Sequence, residues 1–307
     1  MRRLLAFVVL LMALPATAVL GTDLDELLSR GKEASYSAEQ VISCSTPDGD
    51  RDALIRVEQD GDDLRLTSNF GNDVQVTAGA GGWILTQDDG LVAQATVDRG
   101  EAEAGALYTV EDSGTVEYLG RAAMAYLLIR GGQPRAELVI DDETGAVMEA
   151  VTLTLNNEVY CERRFVSLDT DAPALEEGGA SALEKIPPSL VETSSLPETV
   201  AGFALLDQYE DEDGVRFAYY SDGFFSFALF ETPSTVDLPE STPVEFGSGG
   251  YLRVFTAGQV TYVWETLESG MALVGDLPPD LHEAVLAEMP HPEDPGFFRR
   301  WWRAWFG

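Results

Sequence analysis

The sequence predicts a mainly β fold with a minority of helix, in the α+β class, and two observations support this. From Tyr36 onwards many segments alternate apolar and polar residues, for example residues 51–58 and 63–67. This period of two is typical of strands with one buried face. Short sequences rich in Gly and Asp, such as residues 59–62 and 88–90, separate these segments and favour tight hairpin turns. We therefore expect consecutive hairpins that form antiparallel sheets.

A short helix is predicted near residues 181–185, and longer helices at residues 22–34, 97–107 and 279–289. The last of these begins after Pro278 and carries Leu281, Val285 and Leu286 on one face, which is the spacing of an amphipathic helix. Strands are predicted at residues 115–119, 124–129, 135–140, 147–155 and 159–167, and in a second strand-rich segment over residues 202–274.

Length and composition predict two compact domains, because the chain has 307 residues of which 45% are hydrophobic. Residues 169–195 contain Gly, Pro and acidic residues and few large apolar ones, as linkers do. The predicted regions are a signal peptide (1–18), a first domain (19–168), the linker (169–195), a second domain (196–290) and an Arg/Trp-rich tail (291–307).

Residues 1–18 have the three parts of a secretory signal peptide. Arg2 and Arg3 form a positive start, and an apolar run over residues 4–14 follows. Residues 16–18, Ala-Thr-Ala, then supply the small residues that signal peptidase requires. The run is shorter than the roughly 20 residues that cross a bilayer. We expect export to the periplasm or another extracytoplasmic part of the cell envelope, with an uncleaved N-terminal anchor as the alternative.

The charge of the chain is strongly negative, with 53 acidic and 19 basic residues and a net charge of −34. Cleavage of the signal peptide removes two of the basic residues and no acidic residue, which makes the mature net charge −36. Nucleic acid is therefore excluded as a partner, since its phosphates require basic residues. The acidity either keeps the protein soluble or matches a basic partner surface.

Catalytic motifs are not apparent in the sequence. The two histidines, His282 and His291, have no neighbouring residues with the spacing of zinc ligands. Residues 79–82, Gly-Ala-Gly-Gly, join two predicted strands without a following helix, which favours a hairpin loop over a phosphate-binding loop. We predict no cofactor, no metal and no catalytic residues, and thus a binding protein. An exported hydrolase of an unrecognised kind is the alternative.

The chain contains two cysteines, Cys44 and Cys161, both in predicted strands of the first domain. Export would place them in an oxidising compartment, where disulfides persist. A disulfide between them would stabilise the protein by roughly 4–5 kcal/mol, because it closes a long loop of the unfolded chain. Two buried free thiols are the alternative, since sequence spacing does not establish proximity.

The tail is unusual because it is both cationic and aromatic. Its candidate functional residues are Arg299, Arg300, Trp301, Trp302, Arg303 and Trp305. Arginine and tryptophan together suit a peripheral contact with a membrane interface. Alternatively, the tail docks back onto the acidic body of the protein.

Residues 219–230 predict a hairpin in which an Asp-Gly turn at Asp222 and Gly223 joins two apolar strands. The residue pattern alone indicates a core hairpin. It also resembles the second domain of the RseB/MucB family, whose pattern there is a strand, Tyr-Ser-Asp-Gly, and a strand ending in Phe. Here the motif is Tyr220-Ser221-Asp222-Gly223.

Four further motifs occur in the same order as in that family. They are Leu196-Pro197, Gly202-Phe203, Val274-Gly-Asp-Leu-Pro278 before a helix, and Gly120-Arg121 followed by strands and Asp142-Glu-Thr-Gly145. The resemblance implies a half-open antiparallel barrel for residues 19–168, similar to the lipoprotein carriers LolA and LppX. It implies a smaller sheet with a helix for residues 196–290.

The resemblance also implies a function. RseB-like proteins bind the extracytoplasmic part of a single-span anti-sigma factor, and lipids or mislocalised lipoproteins weaken that binding. We therefore expect a regulator of envelope-stress signalling with an acyl-chain or lipoprotein ligand, and a LolA/LppX-type carrier as the alternative. The partner-binding residues implied are Tyr220, Ser221, Asp222 and Gly223.

Overall fold

The structure is a computed structural model, and it describes residues 24, 27–28, 30–46, 49–61, 63–68, 74–79, 82–87, 90–95, 107–172, 196–210, 214–233, 241–246, 249–256 and 259–293. The predicted signal peptide, nearly all of the helix predicted at residues 97–107, most of the linker and the tail from residue 294 lie outside these residues. The division into two domains therefore stays a prediction, while the two sheets described below are observed.

Sheet 1 has eleven antiparallel strands within the described residues. They are β1 (Ser35–Thr46), β2 (Gly49–Asp60), β3 (Asp63–Ser68), β4 (Val74–Gly79), β5 (Gly82–Gln87), β6 (Gly90–Ala95), β7 (Tyr108–Tyr118), β8 (Arg121–Arg130), β9 (Gln133–Asp141), β10 (Val147–Leu153) and β11 (Val159–Asp169).

Two meanders, β1–β6 and β7–β11, form sheet 1 and meet where β1 pairs with β11. The register of that pair places Cys44 opposite Cys161. The two cysteines form a disulfide across 117 residues of sequence, with their Cα atoms 4.0 Å apart. The predicted disulfide is therefore confirmed, and it joins the two meanders at their only shared strand pair among the described strands.

The second meander is strongly curved. The hydroxyl of Tyr118 in β7 donates a hydrogen bond of 3.1 Å to the backbone oxygen of Phe165 in β11, although three strands lie between β7 and β11. In a flat sheet these two strands would be about 19 Å apart, at about 4.8 Å per strand. Since β6 and β7 form opposite edges of the sheet, the described strands do not close into a barrel.

Sheet 2 has eight antiparallel strands within the described residues, in the order β12-β13-β14-β15-β19-β18-β17-β16. They are β12 (Thr199–Val200), β13 (Phe203–Glu210), β14 (Arg216–Ser221), β15 (Ser226–Thr232), β16 (Thr242–Phe246), β17 (Gly249–Thr256), β18 (Gln259–Glu265) and β19 (Gly270–Gly275), and helix α1 (Pro279–Glu288) follows them. The prediction of a mainly β protein with little helix is thus confirmed.

The helices differ from the sequence-based prediction in two respects. Residues 24, 27 and 28 are helical, but the predicted helix at 22–34 is replaced at its end by a 3-10 turn, Arg30–Glu33. In α1 the buried residues are His282, Val285 and Leu286, so His282 takes the inward position that the pattern assigned to Leu281. Periodicity missed this because burial keeps the imidazole neutral, and a neutral ring can take a position that the pattern reserves for apolar side chains.

Candidate functional site between the two sheets

The motif Tyr220-Ser221-Asp222-Gly223 ends β14 and begins the turn to β15. One carboxylate oxygen of Asp222 accepts hydrogen bonds from the backbone N–H groups of Phe224 and Phe225, at 3.0 and 2.8 Å. The hydroxyl of Ser221 donates to the backbone oxygen of Phe225 at 3.1 Å and accepts from the N–H of Gly223 at 3.0 Å. Gly223 has a φ of +96°, which favours glycine. The Ser, Asp and Gly of the motif therefore have a local, turn-building role.

The second carboxylate oxygen of Asp222 connects this turn to sheet 1. It accepts hydrogen bonds from the guanidinium of Arg130 at 2.7 Å and from the hydroxyl of Tyr108 at 2.8 Å. Arg130 ends β8 and Tyr108 begins β7, and the two residues are partners in the β7–β8 register. Asp222 is fully buried, so this contact lies inside the molecule.

The electrostatics of Asp222 reflect its burial. Desolvation raises the pKa of its carboxyl group, and the positive charge of Arg130 and the hydrogen bonds described above only partly oppose this. The pKa of Tyr108 is raised well above its ordinary value, first by burial and then by the negative charge of Asp222. A buried carboxylate of this kind depends on its cationic partner, because an unpaired charge inside a protein is costly.

The motif Gly202-Phe203 meets the same arginine. Gly202 has a φ of +83°, and a Cβ at this position would lie 2.8 Å from a guanidinium nitrogen of Arg130. That guanidinium donates to the backbone oxygen of Ala201 at 3.1 Å and lies 5.3 Å from the centre of the Phe203 ring, within cation–π range. The positive φ therefore favours glycine at 202, and a Cβ there would also displace the guanidinium of Arg130 from this position.

Two further ion pairs join the sheets. Arg163 in β11 pairs with Asp276, which follows β19, and Arg135 in β9 pairs with Asp280 in the first turn of α1 at 2.9 Å. The side chain of Arg135 is only 2% exposed. Together with Arg130 and Asp222, three ion pairs join the sheets. In each of them sheet 1 provides the arginine, and the segment that contains sheet 2 and α1 provides the aspartate.

A cavity of about 150 Å³ lies beside this junction. Its apolar lining includes Tyr36, Leu138 and Phe165 from sheet 1, and Phe224 and Phe225 from the β14–β15 turn. The rings of Phe224 and Phe225 are 4.9 Å apart in an edge-on arrangement. The two phenylalanines therefore form a wall that sheet 2 contributes to a cavity in sheet 1.

The cavity is mainly apolar, with one charged pair in its lining, Arg163 and Asp276. Such a space suits a hydrocarbon group, since apolar lining with few polar groups is typical of small-molecule sites. Its volume is below the roughly 300–1,000 Å³ of ordinary ligand pockets, so in this conformation it would admit only part of an acyl chain.

Among the residues that the structure describes, no group of three or more His, Cys, Asp or Glu side chains is arranged to hold a metal ion. No helix in the described part of the chain is long and apolar enough to cross a membrane.

The sequence-predicted site residues lie in three different environments. Cys44 and Cys161 form the disulfide of sheet 1. Tyr220, Ser221 and Asp222 are buried, so their predicted role in partner binding stays a prediction and would be indirect in this conformation. The tail residues Arg299, Arg300, Trp301, Trp302, Arg303 and Trp305 lie outside the described residues.

Sequence reasoning missed Tyr108, Arg130, Arg163 and Asp276 as site residues. Arg130 and Arg163 stand in strands, where a charged residue is usually assigned to the solvent face. The sequence did contain a signal for Asp276, because this residue lies within the motif Val274–Pro278. A Cβ on Gly275 would lie 2.9 Å from the Cβ of Phe227, so this glycine permits the close packing of β19 against β15.

The fold and the site define a mainly antiparallel, two-sheet protein with an ion-paired junction and an apolar internal cavity. Solved structures of MucB share this fold. The crystal structure of MucB aligns with a TM-score of 0.54 and 20% identity, covering 87% of this chain and 98% of that chain. The complex structure of Pseudomonas aeruginosa MucA/MucB aligns with a TM-score of 0.52 and 18% identity, covering 86% of this chain and 95% of that chain.

At 18% and 20% identity the similarity shows a common fold. The predicted resemblance to RseB/MucB proteins is therefore confirmed for the fold. A LolA-superfamily protein from Nitrosomonas europaea aligns with a TM-score of 0.26 and 7% identity, covering 50% of this chain and 96% of that chain, and this does not show a common fold. No protein-family profile matches the sequence, and no curated protein matches it.

Proposed function

We propose that this protein is an exported regulator that binds the extracytoplasmic part of a single-span anti-sigma factor and modulates envelope-stress signalling. The observation that carries the proposal is the similarity to MucB along most of the chain, in a structure that was solved together with MucA. Because fold alone does not establish function, the ordered sequence motifs add separate support, and three of them, at residues 202–203, 220–223 and 274–278, contact arginines of sheet 1 at the junction.

The charge of the protein suggests the chemistry of its partner. A net charge of −34 over 307 residues favours association with a basic surface and accelerates encounter with it at low ionic strength. The partner is therefore a protein segment rich in Lys or Arg on the outer face of a membrane.

The ligand that we propose is an acyl chain of a lipid or lipoprotein, held in the cavity of sheet 1. This requires sheet 1 to curve as a half-open barrel. The hydrogen bond between Tyr118 in β7 and Phe165 in β11, across three intervening strands, supports such a curve in the second meander.

In this proposal, ligand binding in the cavity and partner binding affect each other through the junction between the two sheets. A complete acyl chain needs more room than about 150 Å³, and the wall formed by Phe224 and Phe225 belongs to the sheet 2 side. Ligand entry would therefore favour a form with the sheets further apart. Partner binding would favour the form with the sheets close together. Ligand and partner would therefore shift the population between two states in opposite directions.

The test is affinity capture from an envelope extract with the mature protein as bait, followed by native mass spectrometry of what is bound. We expect a single-span protein with a basic extracytoplasmic segment, and displacement of that protein when an acylated peptide is added. Capture experiments that never recover such a protein would contradict the proposal. An acyl ligand that binds without affecting any partner would instead favour a carrier.

A further inference from the structure

A groove of about 360 Å³ lies on sheet 2, away from the cavity described above. One wall is apolar and includes Leu196, Leu267 and Met271. The side chain of Leu267 is 42% exposed, so the groove presents apolar surface to solvent. Exposed apolar surface with a polar rim is typical of a binding groove.

The rim of the groove is acidic and includes Glu231, Glu268 and Glu293. Glu231 is paired with Arg216 at 3.2 Å. Within the described ranges, no Lys or Arg forms an ion pair with the carboxylate of Glu268 or Glu293, and both residues are exposed. The groove therefore combines an apolar wall with uncompensated negative charge, which suits a segment that is both aromatic and cationic.

The last described residues hold the chain against this groove. The indole N–H of Trp264 donates to the backbone oxygen of Pro290 at 2.7 Å, and the N–H of Glu293 donates to the backbone oxygen of Glu265 at 2.8 Å. Pro290 and Glu293 both line the groove. The chain from residue 294 onwards therefore starts at the rim of the groove.

The sequence after Glu293 has the matching chemistry. Residues 294–296 are Asp-Pro-Gly, with Pro and Gly in the order that is typical of the two central positions of a type II turn. Residues 297–307 then contain six aromatic and three arginine residues and no acidic residue.

We propose that the groove on sheet 2 binds residues 297–307 of the same chain, and that this contact keeps the aromatic and cationic side chains of the tail away from lipid surfaces. The aromatic side chains cover the apolar wall, and the arginines lie against Glu268 and Glu293. The inference does not depend on the identity of the anti-sigma partner or of the acyl ligand.

The first test is positional and uses disulfide trapping in the full mature chain. Glu268→Cys combined with Ala304→Cys should give an intramolecular disulfide under mild oxidation. Glu117→Cys combined with Ala304→Cys is the control, because Glu117 is exposed on β7 of sheet 1. No trapping of the first pair, or equal trapping of both pairs, would overturn the proposal.

The second test measures binding of the full mature chain to vesicles of phosphatidylglycerol and phosphatidylcholine. Glu268→Arg/Glu293→Arg should release the tail and strengthen vesicle binding about tenfold, which corresponds to about 1.4 kcal/mol. Glu111→Arg/Glu117→Arg makes the same charge change at exposed residues of β7 and should have a much smaller effect. Equal strengthening by the two variants, or wild-type binding as tight as that of the groove variant, would show that the tail is a free membrane contact and would overturn the proposal.

Discussion

The guanidinium of Arg130 in sheet 1 lies 2.7 Å from the carboxylate of Asp222 in sheet 2, and the side chain of Asp222 has no exposed surface. The same carboxylate completes the turn that begins β15. One side chain thus serves two purposes, since it fixes a hairpin turn locally and joins the two sheets. Disturbing the junction should therefore change both stability and the geometry of the cavity wall formed by Phe224 and Phe225.

Arg130→Ala should lower the free energy of unfolding by about 3 kcal/mol. The reason is that the buried charge of Asp222 loses its partner, and removing one member of a buried pair costs about 3–5 kcal/mol. The lower end of the range applies because Arg130 remains 16% exposed. Urea unfolding would measure the change. Arg56→Ala is the control, since Arg56 is 61% exposed in its pair with Glu58 and should cost less than about 1 kcal/mol. Equal losses for the two variants would contradict the prediction.

The stability of the protein should decrease in acid partly because of His282. Burial lowers the pKa of this histidine to about 3, and hydrogen bonds to the backbone of Leu277 and Pro278 only partly oppose the effect. The unfolded chain binds a proton at about pH 6.5, whereas the folded chain excludes it. The contribution of His282 to stability is therefore complete above about pH 6.5 and is lost as the pH falls towards about 3.

His282→Leu should reduce the dependence of unfolding free energy on pH between about 6 and 4 by up to about 1.4 kcal/mol per pH unit, the value for one proton. Denaturant unfolding at several pH values would measure this slope. Val285→Ala, at a fully buried position of the same helix, should lower stability without changing the slope. A His282→Leu slope equal to that of wild type would contradict the prediction.

Loss of the disulfide by Cys44→Ser/Cys161→Ser should lower stability by roughly 4–5 kcal/mol. The bridge closes 117 residues of sequence, and in the chain-entropy account the effect grows with the length of the closed loop. The melting temperature under oxidising conditions would show the loss. Reduced wild type provides the control and should melt close to the double variant, whereas identical curves for variant and oxidised wild type would show that the bridge does not stabilise the fold.

The cavity can be altered in opposite directions by two substitutions in its lining. Ala150→Leu places a larger side chain in the cavity and should weaken binding of a fluorescent fatty acid. Phe224→Ala removes part of the wall and should strengthen binding of longer acyl chains. Ala122→Leu and Phe246→Ala are the matched controls, since neither residue lines the cavity. If both lining variants bind like wild type, the cavity is not the acyl site.

Much of the strand pattern was predictable from the sequence because alternation and turn residues act locally. The turn at Asp222 and Gly223 was located correctly, and so were the strands on each side of it. Strand β7 was predicted too short, at residues 115–119 instead of Tyr108–Tyr118. It lies at the edge of sheet 1 and is largely exposed, so its first half does not alternate clearly.

The sequence by itself determined the charge, the β-rich class, the presence of two cysteines able to pair and the motifs that resemble RseB/MucB proteins. These follow from composition and short-range pattern. Only the tertiary structure decided that Asp222 faces Arg130 and that Cys44 faces Cys161. Those contacts join residues 92 and 117 positions apart, and they depend on which strands become neighbours. Burial then decides the chemistry of Asp222, because desolvation and a single cationic partner act on it only once the two sheets are packed together.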